Sequence, residues 1–146
     1  MQQYWSRTIA FGVCAVVFAF AACSDSNGPE DMQRDLTGSY TLVSISQGTA
    51  AGVLLIPGAT GTFTLTATTY HASLTIPQPP GPDLLLDDHG TYTATGSETA
   101  GAWTQQSTDD PNLQYTGSYS WSAATSQLTL DSTAGAIRTV LVLQRN

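Results

Sequence analysis

Threonine alternates with large apolar side chains in several short stretches, and this period of two constrains the fold more than any other feature. Residues 62–66 read Thr-Phe-Thr-Leu-Thr, and 71–76 and 127–131 follow the same pattern. Successive side chains of a β-strand point to opposite faces, so each stretch predicts a strand with one apolar face. β-branched threonine suits an exposed pleated face. After residue 36 we predict an all-β domain, with helix a competing interpretation only around 53–56.

Eight strands are predicted, and most of their connections are short and rich in turn-forming residues. The strand bounds are 39–46, 61–66, 69–76, 90–95, 102–107, 114–122, 127–131 and 136–144. Two connections are longer, 47–60 and the proline-rich 77–89. Consecutive hairpins favour an antiparallel meander that closes as an eight-stranded up-and-down barrel. A two-sheet β-sandwich is the alternative.

The alternation also predicts which side chains fill the barrel. The inward set is Phe63, Leu65, Leu74, Ile76, Tyr92, Tyr115, Tyr119, Trp121, Leu128, Leu130, Leu141 and Leu143. The pattern does not settle the facing of Trp103. An eight-stranded barrel either holds a small ligand or fills itself with side chains. The candidate ligand-binding residues are the aromatic ones, Phe63, Tyr92, Trp103, Tyr115, Tyr119 and Trp121. Their polar atoms would either orient a ligand or bond to the backbone.

Two apolar segments outside the main strand pattern are candidates for contacts of another kind. They are 53–56 and 84–86. Each could cover one end of the barrel as a lid, plug that end, or dock a partner protein.

The N-terminal residues carry a targeting pattern. Arg7 precedes an uncharged apolar run over 9–22, which is typical of a secretory signal and is shorter than a membrane span. Small residues followed by Cys23 resemble the lipobox of bacterial lipoproteins, although Phe20 stands where leucine is usual. The resemblance implies cleavage before Cys23 and a lipid on its thiol. The alternative is an ordinary signal cleavage after Ala21.

The predicted organisation is therefore a signal peptide over 1–22, a flexible tether over 23–35 and a barrel domain over 36–146. Cys23 would be the one cysteine of the mature chain, which excludes a disulfide framework there. Ser24 after the lipidated cysteine implies, in the lipoprotein resemblance, sorting to the outer membrane. The membrane partner would be reached through the lipid.

The net charge of the chain argues against electrostatic binding to anionic partners. The formal net charge is −7 and lysine is absent, so the mature chain has only Arg34, Arg138 and Arg145 as basic residues. A domain this acidic repels phosphate backbones and anionic headgroups, so we expect no nucleic-acid binding and no electrostatic attachment to lipid.

Catalytic motifs are absent from the sequence. The histidines are His71, expected on the outer threonine face of its strand, and His89, expected in a tight turn beside Asp87 and Asp88. No nucleophile elbow, phosphate-binding loop or calcium-loop spacing occurs. We therefore expect no enzyme activity, no cofactor and no metal site. A hydrolase would need one histidine beside a serine and an acid.

Several segments together resemble the lipocalin-like domains of small bacterial lipoproteins. They are the Gly-aromatic strand at 36–45, the apolar loop at 53–58, the acidic turn and aromatic strand at 88–92, and the strands at 117–119 and 128–130. The resemblance implies a lipid-anchored envelope barrel that binds a small apolar ligand. The alternative function is an envelope interaction or inhibitor module with a solid core.

Overall fold

Nine antiparallel strands account for most of the chain that the computed structural model describes, residues 34–146. The predicted signal peptide, Cys23 and the tether up to residue 33 lie outside the described residues. The strands are β1 Gly38–Thr49, β2 Gly52–Leu55, β3 Thr60–Leu65, β4 Thr69–Ile76, β5 Leu84–Gly96, β6 Ala100–Ser107, β7 Gln114–Ser122, β8 Gln127–Ala134 and β9 Ile137–Arg145. No helix in this part of the chain could cross a membrane.

The sheet closes on itself as an eight-stranded barrel. Each strand from β3 to β9 pairs with the next one along the chain, and β1 pairs with both β3 and β9. The all-β meander barrel predicted from the sequence is confirmed, and the two-sheet sandwich is not the arrangement. Closure gives each of the eight barrel strands a pairing partner on both sides, whereas β2 pairs only with β1 among the described strands. Its strands are staggered, since the first part of β5 pairs with β4 and the last part with β6.

Strand β2 is an addition to the predicted set, because the sequence predicts only a connection over 47–60. It forms a tight hairpin with the end of β1, in which Gly48 faces Val53 and Thr49 faces Gly52. A Cβ on Gly48 would lie 2.1 Å from the carbonyl oxygen of Gly52, so the close approach requires glycine. The pairing continues past β2, since Ile56 N donates to Ile45 O over 2.9 Å.

Strand β5 begins earlier than predicted, and this corrects the position of His89. The proline-rich connection covers only 77–83, and residues 84–91 pair along the length of β4. His89 therefore lies within β5, opposite His71, and not in a tight turn. The ladder hydrogen bonds of 84–88 override the local turn preference of the two aspartates.

The barrel has two distinct ends, which we call the base and the mouth. The base carries the turns at 66–68, 97–99 and 123–126, and the mouth carries the loops at 77–83 and 108–113 and the turn at 135–136. The described chain enters at the base, where Arg34 N donates to Ala94 O over 2.6 Å and Arg34 Nε donates to Gly96 O. Thus residue 34, predicted to belong to the tether, contacts the barrel.

Several of the largest fully buried side chains lie toward the base. The ring of Tyr92 stacks on Trp103 with 4.8 Å between centroids, and both residues are buried. Leu128, Leu130 and Leu143 are also buried there in the inward phase of β8 and β9. Of the predicted inward set, Tyr115, Trp121 and Leu141 are half-buried and the others are buried. Trp103, whose facing the sequence left open, points inward.

Candidate functional site

A cavity of about 290 Å³ opens at the mouth of the barrel. Its volume is about twice that of a cavity of ~150 Å³ that holds a benzene molecule. It reaches the surface beside the 108–113 loop, because the exposed residues Asp109 and Asp110 line it. We call this space the mouth cavity.

One wall of the mouth cavity is apolar. It is formed by the inward faces of β3, β4 and the start of β5, with Phe63, Ala72, Leu74, Ile76 and Leu86. Phe63 is held by stacking on Tyr70, with 5.8 Å between ring centroids. Apolar walls of this kind favour ligands that lose apolar surface to water on binding.

The part of the lining on β6 to β9, which we call the polar wall, carries four buried polar residues together with Tyr115 and Leu141. Gln105 and Ser107 of β6, Ser132 of β8 and Thr139 of β9 all line the cavity and are all buried. Gln47 Nε2 donates to Thr139 Oγ1 over 3.4 Å. The mouth cavity is therefore amphipathic across its width, with hydrogen-bonding groups opposite a hydrocarbon surface.

Sequence reasoning missed this polar wall, although a signal for it was present. The inward-facing residues of β6 are Trp103, Gln105 and Ser107. Those of β8 are Leu128, Leu130 and Ser132. Each polar residue lies an even number of positions after a buried apolar residue of its strand. Continuing the alternation of period two would therefore have predicted that Gln105, Ser107 and Ser132 face the barrel interior.

Asp88 is the carboxylate that faces inward from β5. Its Oδ1 accepts a hydrogen bond from Ser107 Oγ over 2.5 Å, and its Oδ2 accepts one from the Tyr70 hydroxyl over 2.7 Å. Both donors are neutral, and no cationic side chain pairs with Asp88 within residues 34–146. Burial, and then the hydrogen bond to Asp88, raise the pKa of the Tyr70 hydroxyl far above its ordinary value. Tyr70 therefore stays a protonated donor to the carboxylate.

The two histidines lie on the outer face of the barrel, opposite each other on β4 and β5. His71 Nε2 lies 2.9 Å from Asp87 Oδ1, and His89 Nδ1 lies 2.9 Å from Asp109 Oδ2. Within the described chain neither imidazole hydrogen-bonds to a serine, and Ser107 contacts Asp88 instead. These pairs supply an acid and a base, but the hydrogen bonds of residues 34–146 join no hydroxyl nucleophile to them.

Metal binding has no support from the arrangement of side chains in residues 34–146. They contain no group of three or more histidine, cysteine, aspartate or glutamate side chains placed to hold an ion. The carboxylates of Asp87, Asp88 and Asp109 are instead engaged by histidine, serine and tyrosine.

The predicted ligand-binding aromatics separate into two groups. Phe63 and Tyr115 line the mouth cavity. Tyr92, Trp103 and Tyr119 do not line it, and their rings belong to the packed core nearer the base. The Tyr92 hydroxyl donates to Thr66 O over 2.7 Å and the Tyr119 hydroxyl to Ser97 O over 2.5 Å. These two hydroxyls thus donate hydrogen bonds to backbone carbonyls of the base turns.

Trp121 borders a second cleft of about 390 Å³ at the base. The cleft lies beside Arg34 and Leu36, and the guanidinium of Arg145 sits 5.8 Å from the centre of the Trp121 ring. Both basic and acidic residues line it, so its charge is mixed.

Comparison with known proteins adds only a likeness in fold. No family model matches the chain, and no curated protein matches it. Two solved structures are similar. A redesigned beta barrel, mFAP1, bound to DFHBI is 16% identical with a TM-score of 0.46, over 75% of this chain and 94% of that one. A redesigned beta barrel, b11L5F_LGL, is 15% identical with a TM-score of 0.47, over 76% and 91%. Similarities this distant carry no argument about a ligand.

Proposed function

We propose that this protein is a lipid-anchored, lipocalin-like barrel of the bacterial cell envelope that binds a small molecule in its mouth cavity. The observation that carries the proposal is the cavity itself, about 290 Å³ in volume with an apolar wall facing a buried polar wall. Ligand sites typically combine a mostly apolar concave surface with a few polar groups that set orientation. The barrel interior near the mouth has both.

The position of the cavity fits a tethered binding protein. Residue 34 lies at the base, and the cavity opens at the opposite end of the barrel. A lipid on Cys23 would attach to the base through the segment 24–33, which extends up to roughly 33 Å when fully stretched. The mouth would then face away from the membrane and toward diffusing ligand.

The test is native mass spectrometry of the mature chain with a small-molecule extract of bacterial envelopes. Wild type is expected to retain a bound mass small enough for the cavity. Ala72→Leu adds side-chain volume within the cavity, since Ala72 lines it and is buried, and should lose that mass. Ala102→Leu on the exposed face of β6 is the matched control and should keep it. A bare protein mass for wild type with every extract, or equal retention by Ala72→Leu, would contradict the proposal.

A second function, an envelope interaction module, is favoured by one observation. Leu54 is 80% exposed and Leu85 is 75% exposed, and both lie on strands that extend toward the mouth. Neither of these two exposed side chains fills the barrel interior. If they dock another envelope protein, Leu54→Asp with Leu85→Asp should abolish its co-purification after crosslinking in cells, whereas Val43→Asp on exposed β1 should not. Unchanged crosslinking in the double variant would exclude this function.

A further inference from the structure

We infer that the mouth cavity selects a protonated amine carried on a compact apolar body. This inference deepens the proposed function and rests on it. It combines the charge of the mouth, the volume and walls of the cavity, and the inward-facing carboxylate of Asp88.

The charges around the cavity have one sign. Four aspartates line it, and the described arginines lie elsewhere. Arg34 and Arg145 border the base cleft, while Arg138 Nη2 lies 2.6 Å from Asp131 Oδ2. A concave, low-dielectric site lined by one sign of charge concentrates its field and attracts the opposite charge. The mouth should therefore repel carboxylate and phosphate ligands and attract cations.

Asp88 is the carboxylate inside the barrel with which an attracted cation would pair. It faces inward from β5, and its two hydrogen bonds come from neutral hydroxyls, those of Ser107 and Tyr70. A partly buried carboxylate is usually paired with a cation. Asp87 and Asp109, by contrast, already contact His71 and His89. An ammonium on the ligand would supply the counter-charge that Asp88 lacks among residues 34–146.

Ser132 places a hydroxyl on the polar wall. The residue is only 7% exposed and lines the cavity, so a bound group would reach its hydroxyl from the cavity side. Gln105, which also lines the cavity, hydrogen-bonds to the Tyr70 hydroxyl, and its amide can form further hydrogen bonds. The wall therefore offers neutral hydrogen-bonding groups in addition to the charge of Asp88.

Size restricts the apolar body of the ligand. A cavity of about 290 Å³, about twice the ~150 Å³ that holds a benzene molecule, accommodates two fused rings with a short side chain. With an ammonium at Asp88, the rings would lie against Phe63 and Leu74 of the apolar wall. This orientation uses both walls at once.

The test compares three probes that share one ring system. Naphthylethylamine, naphthylethanol and naphthylacetate differ mainly in the charge of the short side chain. Their affinities for the full mature chain would be measured by calorimetry at low and high salt. We expect the amine to bind about tenfold more tightly than the alcohol, since a partly buried ion pair contributes about 1.4 kcal/mol or more. The acetate should bind more weakly than either. Salt should weaken the amine alone.

Two variants locate the effect. Asp88→Asn keeps the shape and one accepting oxygen, and it should reduce amine affinity about tenfold while leaving the alcohol within about twofold. Asp131→Asn removes a carboxylate that pairs with Arg138 outside the cavity, and should change neither. If Asp88→Asn fails to fold, the salt dependence of the wild-type protein still decides the question.

The outcomes separate this inference from the proposed function. Equal binding of all three probes, all lost in Ala72→Leu, would overturn the selection for a cation and support the cavity as a site. Tighter binding of the acetate would also overturn the inference. Absence of binding by any probe would count against both the inference and the proposed function.

Discussion

The ring of Tyr92 stacks on the indole of Trp103 with 4.8 Å between centroids, and this pair marks the boundary between the two halves of the barrel interior. Toward the base the interior is filled by large side chains. Toward the mouth the next inward residue of β6 after Trp103 is Gln105, which lines the cavity. The interior is thus a packed core at one end and an amphipathic cavity at the other.

Removal of the Tyr119 hydroxyl should affect stability and not ligand binding. Tyr119→Phe loses the hydrogen bond to Ser97 O, which lies 2.5 Å away at the base, so the free energy of unfolding should fall by about 1 kcal/mol. Urea denaturation monitored by tryptophan fluorescence measures this change. Binding of naphthylethylamine should stay within about twofold of wild type, because Tyr119 does not line the mouth cavity. A tenfold loss of binding would instead place the ligand near the base.

Alkaline pH should destabilise the barrel through its tyrosines. Burial raises the pKa of Tyr92 to about 12 and raises that of Tyr70 further. Since the folded state favours the neutral phenol, this stabilisation is complete below pH 10, the ordinary pKa, and is lost as the pH rises toward 12.

Phenolate absorbance and denaturant midpoints over one pH series check this expectation. Ionisation of the buried phenols should coincide with unfolding. Tyr92→Phe should be less stable at neutral pH and should lose less stability between pH 10 and 12 than wild type. Free titration of all phenols near pH 10 in a chain that remains folded would show that the rings are not buried.

A methyl group on Gly90 should be costly. Its Cβ would lie 2.0 Å from Gln106 O and 3.0 Å from the Tyr70 ring, so β5 and β6 would have to separate locally. We expect Gly90→Ala to lower the free energy of unfolding by about 1–3 kcal/mol, the usual range for overpacking. Gly52→Ala is the matched control, since nothing lies within 4 Å of the added atom and both glycines are in strands. Equal stability of the two variants in thermal melts would contradict the packing of β5 against β6.

The lipid anchor predicted from the sequence rests on one thiol. Cys23→Ser should abolish acylation, so the protein should move from the membrane pellet to the soluble envelope fraction of a bacterial host. Intact mass should then lack the diacylglyceryl group that wild type carries. Cys14→Ser, within the predicted signal, is the control and should leave the mature mass unchanged. A wild-type mature chain without a lipid would favour the ordinary signal cleavage after Ala21.

The sequence predicted the strands and their facing well, because alternation is a local property. Phe63, Leu65, Leu128 and Leu130 are all buried as the period of two required. Short connections between successive strands also predicted the meander and its closure. Strand β2 was not predicted because Val53 to Ile56 is a continuous apolar run without alternation. Such a run does not distinguish a short strand from other structures.

The position of each inward side chain along the barrel axis could not be predicted from the sequence. Alternation predicts that Tyr92, Tyr115 and Tyr119 face inward, but their position along the axis depends on the stagger between neighbouring strands. Tyr115 reached the cavity, whereas Tyr92 and Tyr119 reached the base turns. Similarly, Asp88 was assigned to a turn because local aspartates favour turns, whereas pairing with β4 placed it inside the barrel. Register depends on tertiary pairing between strands. The set of residues that line the mouth cavity could therefore be identified only from the closed barrel.

The most direct test of the account is the location of bound ligand, measured by methyl chemical shifts in a titration with naphthylethylamine. Saturable shifts are expected at Ala72 and Leu74 of the apolar wall, with contacts from the naphthyl protons to Phe63. No comparable change is expected at Ala123 of the base cleft or at exposed Leu54. Shifts confined to Ala123 or Leu54, with Ala72 and Leu74 unchanged, would contradict the claim that the mouth cavity is the binding site.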